Sequence, residues 1–149
     1  MKLLSYYLVL SGFLGVITVL MTVFQSPVML NFVYIFYILY MSSISLLIIY
    51  FGLNIIGEKA KIAHIGSFFI FFLSLFVFSF KGLQYSMVLG IGVIFSVIDF
   101  TSWVFNISFP ISEFTIQYDV KGSNFEIGLN AVALLILICL LKNYKKISG

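Results

Sequence analysis

Uninterrupted apolar stretches constrain this chain more than any other feature of its sequence. A bilayer core about 30 Å thick takes roughly 20 apolar residues as a helix. Five segments reach or approach that length: Leu3–Phe24, Val28–Leu53, Ile62–Phe80, Leu83–Phe105 and the shorter Phe125–Leu141. Of the 149 residues only 9% are charged and 62% are apolar, against about 25% and about 45–50% in a soluble domain. That is too little charge to clothe a water-facing surface. With a mean hydropathy of +1.20, the sequence predicts an integral membrane protein. The same shortage excludes an ordinary cytosolic enzyme, a nucleic-acid binder and a disordered chain.

The first segment is too long for a signal-peptide core and no A-x-A site follows it, so it reads as a retained helix. Gln25-Ser26-Pro27, the charged stretch Asn54–Lys61 and Lys81-Gly82 separate the segments. The fold class that follows is an all-α integral membrane protein, one helical-bundle domain over 1–149 with about five transmembrane helices. In the alternative, the stretch 62–105 crosses once and the count is four. The long polar connection Asn106–Asn124 behaves differently. Phe114, Ile116, Tyr118 and Val120 alternate with Thr115, Gln117 and Asp119, which is strand periodicity, and Lys121-Gly122-Ser123-Asn124 is turn-like. This predicts a small extracytoplasmic β-hairpin before the last helix. Pro110 keeps the segment before it out of a central strand.

All eight basic residues are lysine. Without arginine, the bidentate clamps used for phosphate and carboxylate are missing. Five crossings divide the lysines evenly between the two sides. Four crossings gather Lys2, Lys59, Lys61, Lys142, Lys145 and Lys146 on one side. Both versions are multi-pass in the cell membrane, with the C-terminal tail cytoplasmic and the 106–124 loop outside.

Small and polar residues at helical spacing mark packing faces. Ser11, Gly15, Thr18 and Thr22 share one face of the first segment, Asn31, Tyr34, Ser42, Ser45 and Gly52 one face of the second, and Ser67 and Ser74 one of the third. In the fourth, Tyr85, Gly92, Ser96, Asp99 and Trp103 fall within about 60° of one another at helical spacing. They form the candidate functional or packing face. Asp99 is the only acid within an apolar span, and an intramembrane acid calls for an interface, a hydrogen-bond partner or a role in moving protons or cations.

His64, the only histidine, reads as an interfacial surface residue, too few for a zinc site. Cys139, the only cysteine, reads as a small buried hydrophobe and allows neither an internal disulfide nor a CxxC pair. Glu113, Asp119 and Glu126 read as solvated. No HExxH, Walker or glycine-rich phosphate motif is present. No catalytic, cofactor or metal residue is therefore assigned, no cofactor is expected, and the chain is read as a non-enzyme. The expected function is contact, as an accessory, scaffold or regulatory subunit of a larger inner-membrane assembly. Its partners are then the lipid bilayer and other membrane subunits or a second copy, with no nucleic acid. The alternatives are a small transporter or channel using the Asp99 face, and a membrane immunity protein.

Overall fold

The computed structural model describes residues 2–25, 32–56, 60–80, 83–99, 103–117 and 125–148. The expected breaks at Ser26-Pro27, Lys81-Gly82 and Lys121–Asn124 lie outside them, as do Asn31, Lys59, Tyr118, Asp119 and Val120. The described elements are α1 (Lys2–Gln25), α2 (Phe32–Asn54), α3 (Ala60–Leu73), β1 (Phe76–Phe80), β2 (Leu83–Met87), β3 (Ile94–Ile98), β4 (Val104–Ser108), β5 (Phe114–Gln117), β6 (Glu126–Asn130) and α4 (Ala131–Ser148).

This corrects the expected all-α bundle of five or four transmembrane helices. Among the described residues the fold is mixed, with four helices and a six-stranded antiparallel sheet. The stretch expected as the third and fourth helices is one short helix followed by four strands, and the expected fifth helix begins as a strand. Among the described residues only α1 and α2 are long and apolar enough to cross a membrane.

The small-residue stripes bring α1 and α2 together as an antiparallel hairpin. Ser5 Oγ donates to Gly52 O at 2.6 Å, and Gly15 and Ser45 are buried against one another. A methyl group on Gly52 would lie 2.9 Å from Val9 N, so only glycine allows this backbone approach. Two threonine hydroxyls of α1 turn back on their own helix. Thr18 and Thr22 donate to Leu14 O and Thr18 O at 3.0 and 2.8 Å, which satisfies them without water.

Helices α3 and α4 are also antiparallel. Asn130 N donates to Leu75 O at 2.8 Å, tying the start of α4 to the end of α3, while Leu140, Leu141 and Tyr144 face His64, Ile65 and Phe68. Asn130 also caps α4. Its Oδ1 accepts from Val132 N and Ala133 N at 3.1 and 3.3 Å, the two amides an N-cap serves. These pairings set the start of α1, the end of α2, the start of α3 and the end of α4 at one end of the helical layer. Lys2, Lys61, Lys142, Lys145 and Lys146 are all carried there.

The sheet runs β4-β3-β6-β1-β2-β5. Expected as one hairpin loop, the 106–124 region instead supplies two strands at opposite edges, and β5 pairs with β2 rather than with the chain that follows it. Pro110 sits just beyond β4, which is indeed an edge strand. Residues 83–98 and 104–117 form one long bent hairpin. Its β2–β5 half lies on one side of the central β1–β6 pair and its β3–β4 half on the other. At the bend, Val88 N donates to Glu113 O at 2.6 Å, Ser112 N to Gly90 O at 2.7 Å and Gly92 N to Pro110 O at 2.9 Å. Gly90 takes φ +71° there, which suits glycine. This connectivity requires the sheet to curl, and Val77, Val88 and Ile94 cluster inside the curl. The main core joins the helices to the β2–β5 side through Leu8, Met41, Ile48, Phe71, Met87 and Phe114.

Candidate functional site

Strand alternation and register sort the sheet's side chains into two unlike faces. One rung crosses all six strands as Phe105, Val97, Ile127, Phe78, Tyr85 and Ile116. The adjacent rung, on the opposite face, reads Asn106, Ser96, Gly128, Val77, Ser86 and Thr115. Successive residues of a strand point to opposite sides, so one face is apolar along these rungs, while the other carries the small and polar residues together with Val77, Ile94, Ile98 and Val104. Met87 and Phe114 on the apolar face are buried against the helices, but elsewhere burial is the reverse of a water-soluble sheet. Ser79, Ser86, Ser96 and Asn130 are buried, whereas Phe76, Phe80, Phe95, Ile127 and Leu129 are exposed. Phe105, on the edge strand β4, is 76% exposed.

The five residues expected on one helical face are distributed over this sheet. Tyr85 belongs to the apolar rung and Ser96 to the small one, while Gly92 lies at the bend. Asp99 and Trp103 are brought together at the β3–β4 turn, where Trp103 N donates to Asp99 O at 3.0 Å and both take positive φ, 60° and 49°. Asp99 N donates to Phe125 O at 2.8 Å. Asp99 is therefore a turn residue, which explains an acid in an apolar stretch: aspartate tolerates this conformation better than most residues.

Tyr85 links the sheet to α3. Its hydroxyl donates to Leu73 O at 2.8 Å, occupying a carbonyl at the helix C-terminus. Burial, reinforced by the nearby Tyr40 phenol, pushes the Tyr85 hydroxyl up to about 12.

Two single-copy residues change places relative to expectation. Cys139 is exposed on α4. His64 is 1% exposed, and its Nδ1 donates to Ala60 O at 2.7 Å. His64 forms part of a cleft between α3 and α4 of about 240 Å³, lined also by Ile65, Phe68, Leu140, Leu141 and Tyr144. Its buried Nε2 and the buried Ser67 Oγ, one turn further on, have no hydrogen-bond partner. Glu113 is exposed as expected and Glu126 is half-buried. Among the described residues, no group of three or more His, Cys, Asp or Glu side chains comes together.

No family model matches this chain, and no curated protein or solved structure gives a match. The functional reading therefore rests on the geometry alone. Sequence reasoning missed the Asn130 cap and the two-faced sheet. A signal for each was present: Asn before Ala-Val-Ala-Leu for the cap, and Val77, Ser79, Gln84, Ser86 and Ser96 at even spacing within apolar runs for the sheet.

Proposed function

We propose that the chain is a small membrane protein that acts by contact, as an accessory or scaffold subunit of a larger membrane assembly. In this reading α1 and α2 cross the bilayer as a hairpin, and the lysine-bearing end of the helical layer is cytoplasmic, in keeping with the positive-inside rule. The observation that carries the proposal is the apolar face of the sheet, which the helices cover at Met87 and Phe114 and which stays exposed at Phe76, Phe80, Phe95, Phe105, Ile127 and Leu129. Contiguous exposed apolar surface of this extent marks an interaction site.

Lipid alone is a poor cover for that surface. Among the described residues the edge strands of the sheet are β4 and β5, and open edges are not tolerated against hydrocarbon because their backbone groups have no partner there. A second protein surface covers both the aromatic face and the β4 edge. The transporter alternative loses its support, since it needed the Asp99 residues on one helical face.

A photo-crosslinking amino acid at Phe105 tests this in native membranes. The expected result is a discrete protein adduct, lost when Ile107→Lys is added, with the chain still resisting carbonate extraction. A chain recovered in the soluble fraction, or one that yields only lipid adducts from Phe105, Phe95 and Ile127, overturns the proposal.

A further inference from the structure

Strand β4 is an edge that the fold leaves open on its outer side. Among the described residues its one neighbour is β3, and Val104, Phe105, Asn106 and Ile107 are exposed, whichever face they point to. The opposite edge differs: Phe114 of β5 is buried and packs on the rings of Tyr37 and Tyr40. The ladder shows which backbone groups of β4 look outward. Asp99 N donates to Phe125 O and Ala131 N to Val93 O, both at 2.8 Å. The odd-numbered residues of β3 thus bond to β6 and the even-numbered ones to β4. Gly92 N, donating to Pro110 O at 2.9 Å, keeps the same parity. Opposite those even-numbered residues lie Val104, Asn106 and Ser108. Phe105 and Ile107 therefore turn their N–H and C=O groups to the open edge. Such an edge is ordinarily blunted by a charge, a proline or a bulge, and Val104–Ser108 carries none of these.

We propose that this edge pairs with the same edge of a second copy, β4 against β4, about a two-fold axis passing between the two Asn106 residues. The proposal rests on the contact reading and names the occupant of one of its surfaces. Several observations select a second copy. The sheet is antiparallel throughout, and a two-fold axis normal to it continues that order, so that two six-stranded sheets become one. Phe105 and Ile107 lie symmetrically about Asn106. In this register each Phe105 exchanges both backbone hydrogen bonds with the other copy's Ile107, and no outward group of the strand is left over. Phe105 opposite Ile107 is an aromatic–β-branched pair. Asn106 opposite itself joins two amides, each able to donate and to accept. The strand has no charged side chain, so the repulsion that arises when identical charges meet is absent. The area is of the right order. Trp103, Phe105 and Phe109 are 59%, 76% and 70% exposed, which at roughly 200 Å² a side chain leaves about 400 Å² uncovered per copy. That is half of the about 800 Å² each partner brings to a stable complex, and Val104, Ile107 and Ile111 add to it.

Cysteine scanning of the full chain in native membranes reads this register. The background is Cys139→Ser, which removes the exposed native thiol. Asn106→Cys then places a thiol opposite its own copy, in a non-hydrogen-bonded pair with Cα atoms about 4.5 Å apart, within disulfide range. Copper–phenanthroline oxidation should move most of the 16.9 kDa chain to twice that mass. Phe105→Cys and Ile107→Cys should each stay monomeric, because each meets its own copy only along the diagonal, about 7–8 Å away. Co-expressed, the two should cross-link to each other. Ile107→Pro, added to Asn106→Cys, removes an outward N–H that β3 does not use. It should abolish the dimer and leave the circular dichroism spectrum unchanged. A monomeric Asn106→Cys, a Phe105→Cys that cross-links equally well, or a dimer that survives Ile107→Pro overturns the proposal. The photo-crosslinker at Phe105 keeps this result separate from the contact reading. An adduct to a protein of another mass removes the second copy and leaves contact standing, whereas adducts to lipid alone remove both.

Discussion

Gly128→Ala tests the inward face of the sheet at its tightest point. Gly128 lies on β6 directly opposite Ser96 on one side and Val77 on the other. A methyl group there would lie 2.8 Å from Ser96 Cβ, 3.0 Å from Ile94 Cγ2 and 3.2 Å from Phe95 O. Two of these partners cannot move without shifting a strand, and overpacking of this kind costs about 1–3 kcal/mol. Against it stands the gain from removing a flexible glycine from the unfolded chain, about 0.4–1 kcal/mol where the conformation is compatible. The net expectation is a loss of up to about 2.6 kcal/mol, centred on about 1.3 kcal/mol, read as a melting-temperature drop of up to roughly 10 °C for a chain of this size. The assay is thermal unfolding of detergent-solubilised protein followed by circular dichroism, with Ser96→Gly and the double variant measured beside it. Removing the Ser96 side chain vacates the nearest contact, so the double variant should recover part of the loss, with a coupling of at least about 0.5 kcal/mol. Residues 96 and 128 face each other only in this strand register. Strictly additive effects of the two substitutions would refute the pairing of β3 with β6 and the close packing on its inward face.

Asn130→Ala removes the cap of α4 and should cost about 1 kcal/mol in the same melt, within the usual range for N-caps; a stability equal to the parent's would mean the Val132 and Ala133 amides find other partners. Tyr85→Phe loses the bond to Leu73 O and should cost about 0.5–1.5 kcal/mol near neutral pH. Because the folded-state value is raised from 10 to about 12, the protonated phenol stabilises the fold fully below pH 10. That contribution falls away as pH rises through about 12. A urea titration repeated across this window should show the parent losing more stability than Tyr85→Phe, and parallel profiles would contradict the assignment. Gly52→Ala places a methyl group against the α1 backbone and should destabilise the helix hairpin by about 1–3 kcal/mol. A variant as stable as the parent would show that α1 and α2 do not approach so closely there.

The sequence is legible where a single period dominates. Along α1 and α2 the small residues recur at helical spacing, and Gly15, Ser45 and Gly52 are buried between the two helices as that spacing requires, whereas Ser11 packs against Gly90 at the bend of the sheet. In β5, Phe114 alternates with Thr115, and the strand is real, although its partner is β2. The stretch 76–98 defeats the same logic because it carries two signals at once. Its inward residues are small enough that their alternation hardly interrupts a continuous apolar run, and length alone then favours a helix. A half-buried strand in water declares itself by charged or amide side chains on its solvent face. Here the outer positions are Phe76, Phe78, Phe80, Phe95 and Val97, and the inner ones are Val77, Ser79, Ile94 and Ser96. The pattern of such a sheet is partly inverted, with aromatic residues on the exposed face and serines beside Val77 and Ile94 on the inner one. Five residues at helical spacing within it, Tyr85 to Trp103, then mimic a functional helix face by the accident that 7, 11, 14 and 18 fit a 3.6-residue period. The inversion that hid the strands is also the argument for contact: a sheet whose aromatic residues are exposed is incomplete in water, and the edges that β4 and β5 form among the described residues argue against lipid as its cover as well.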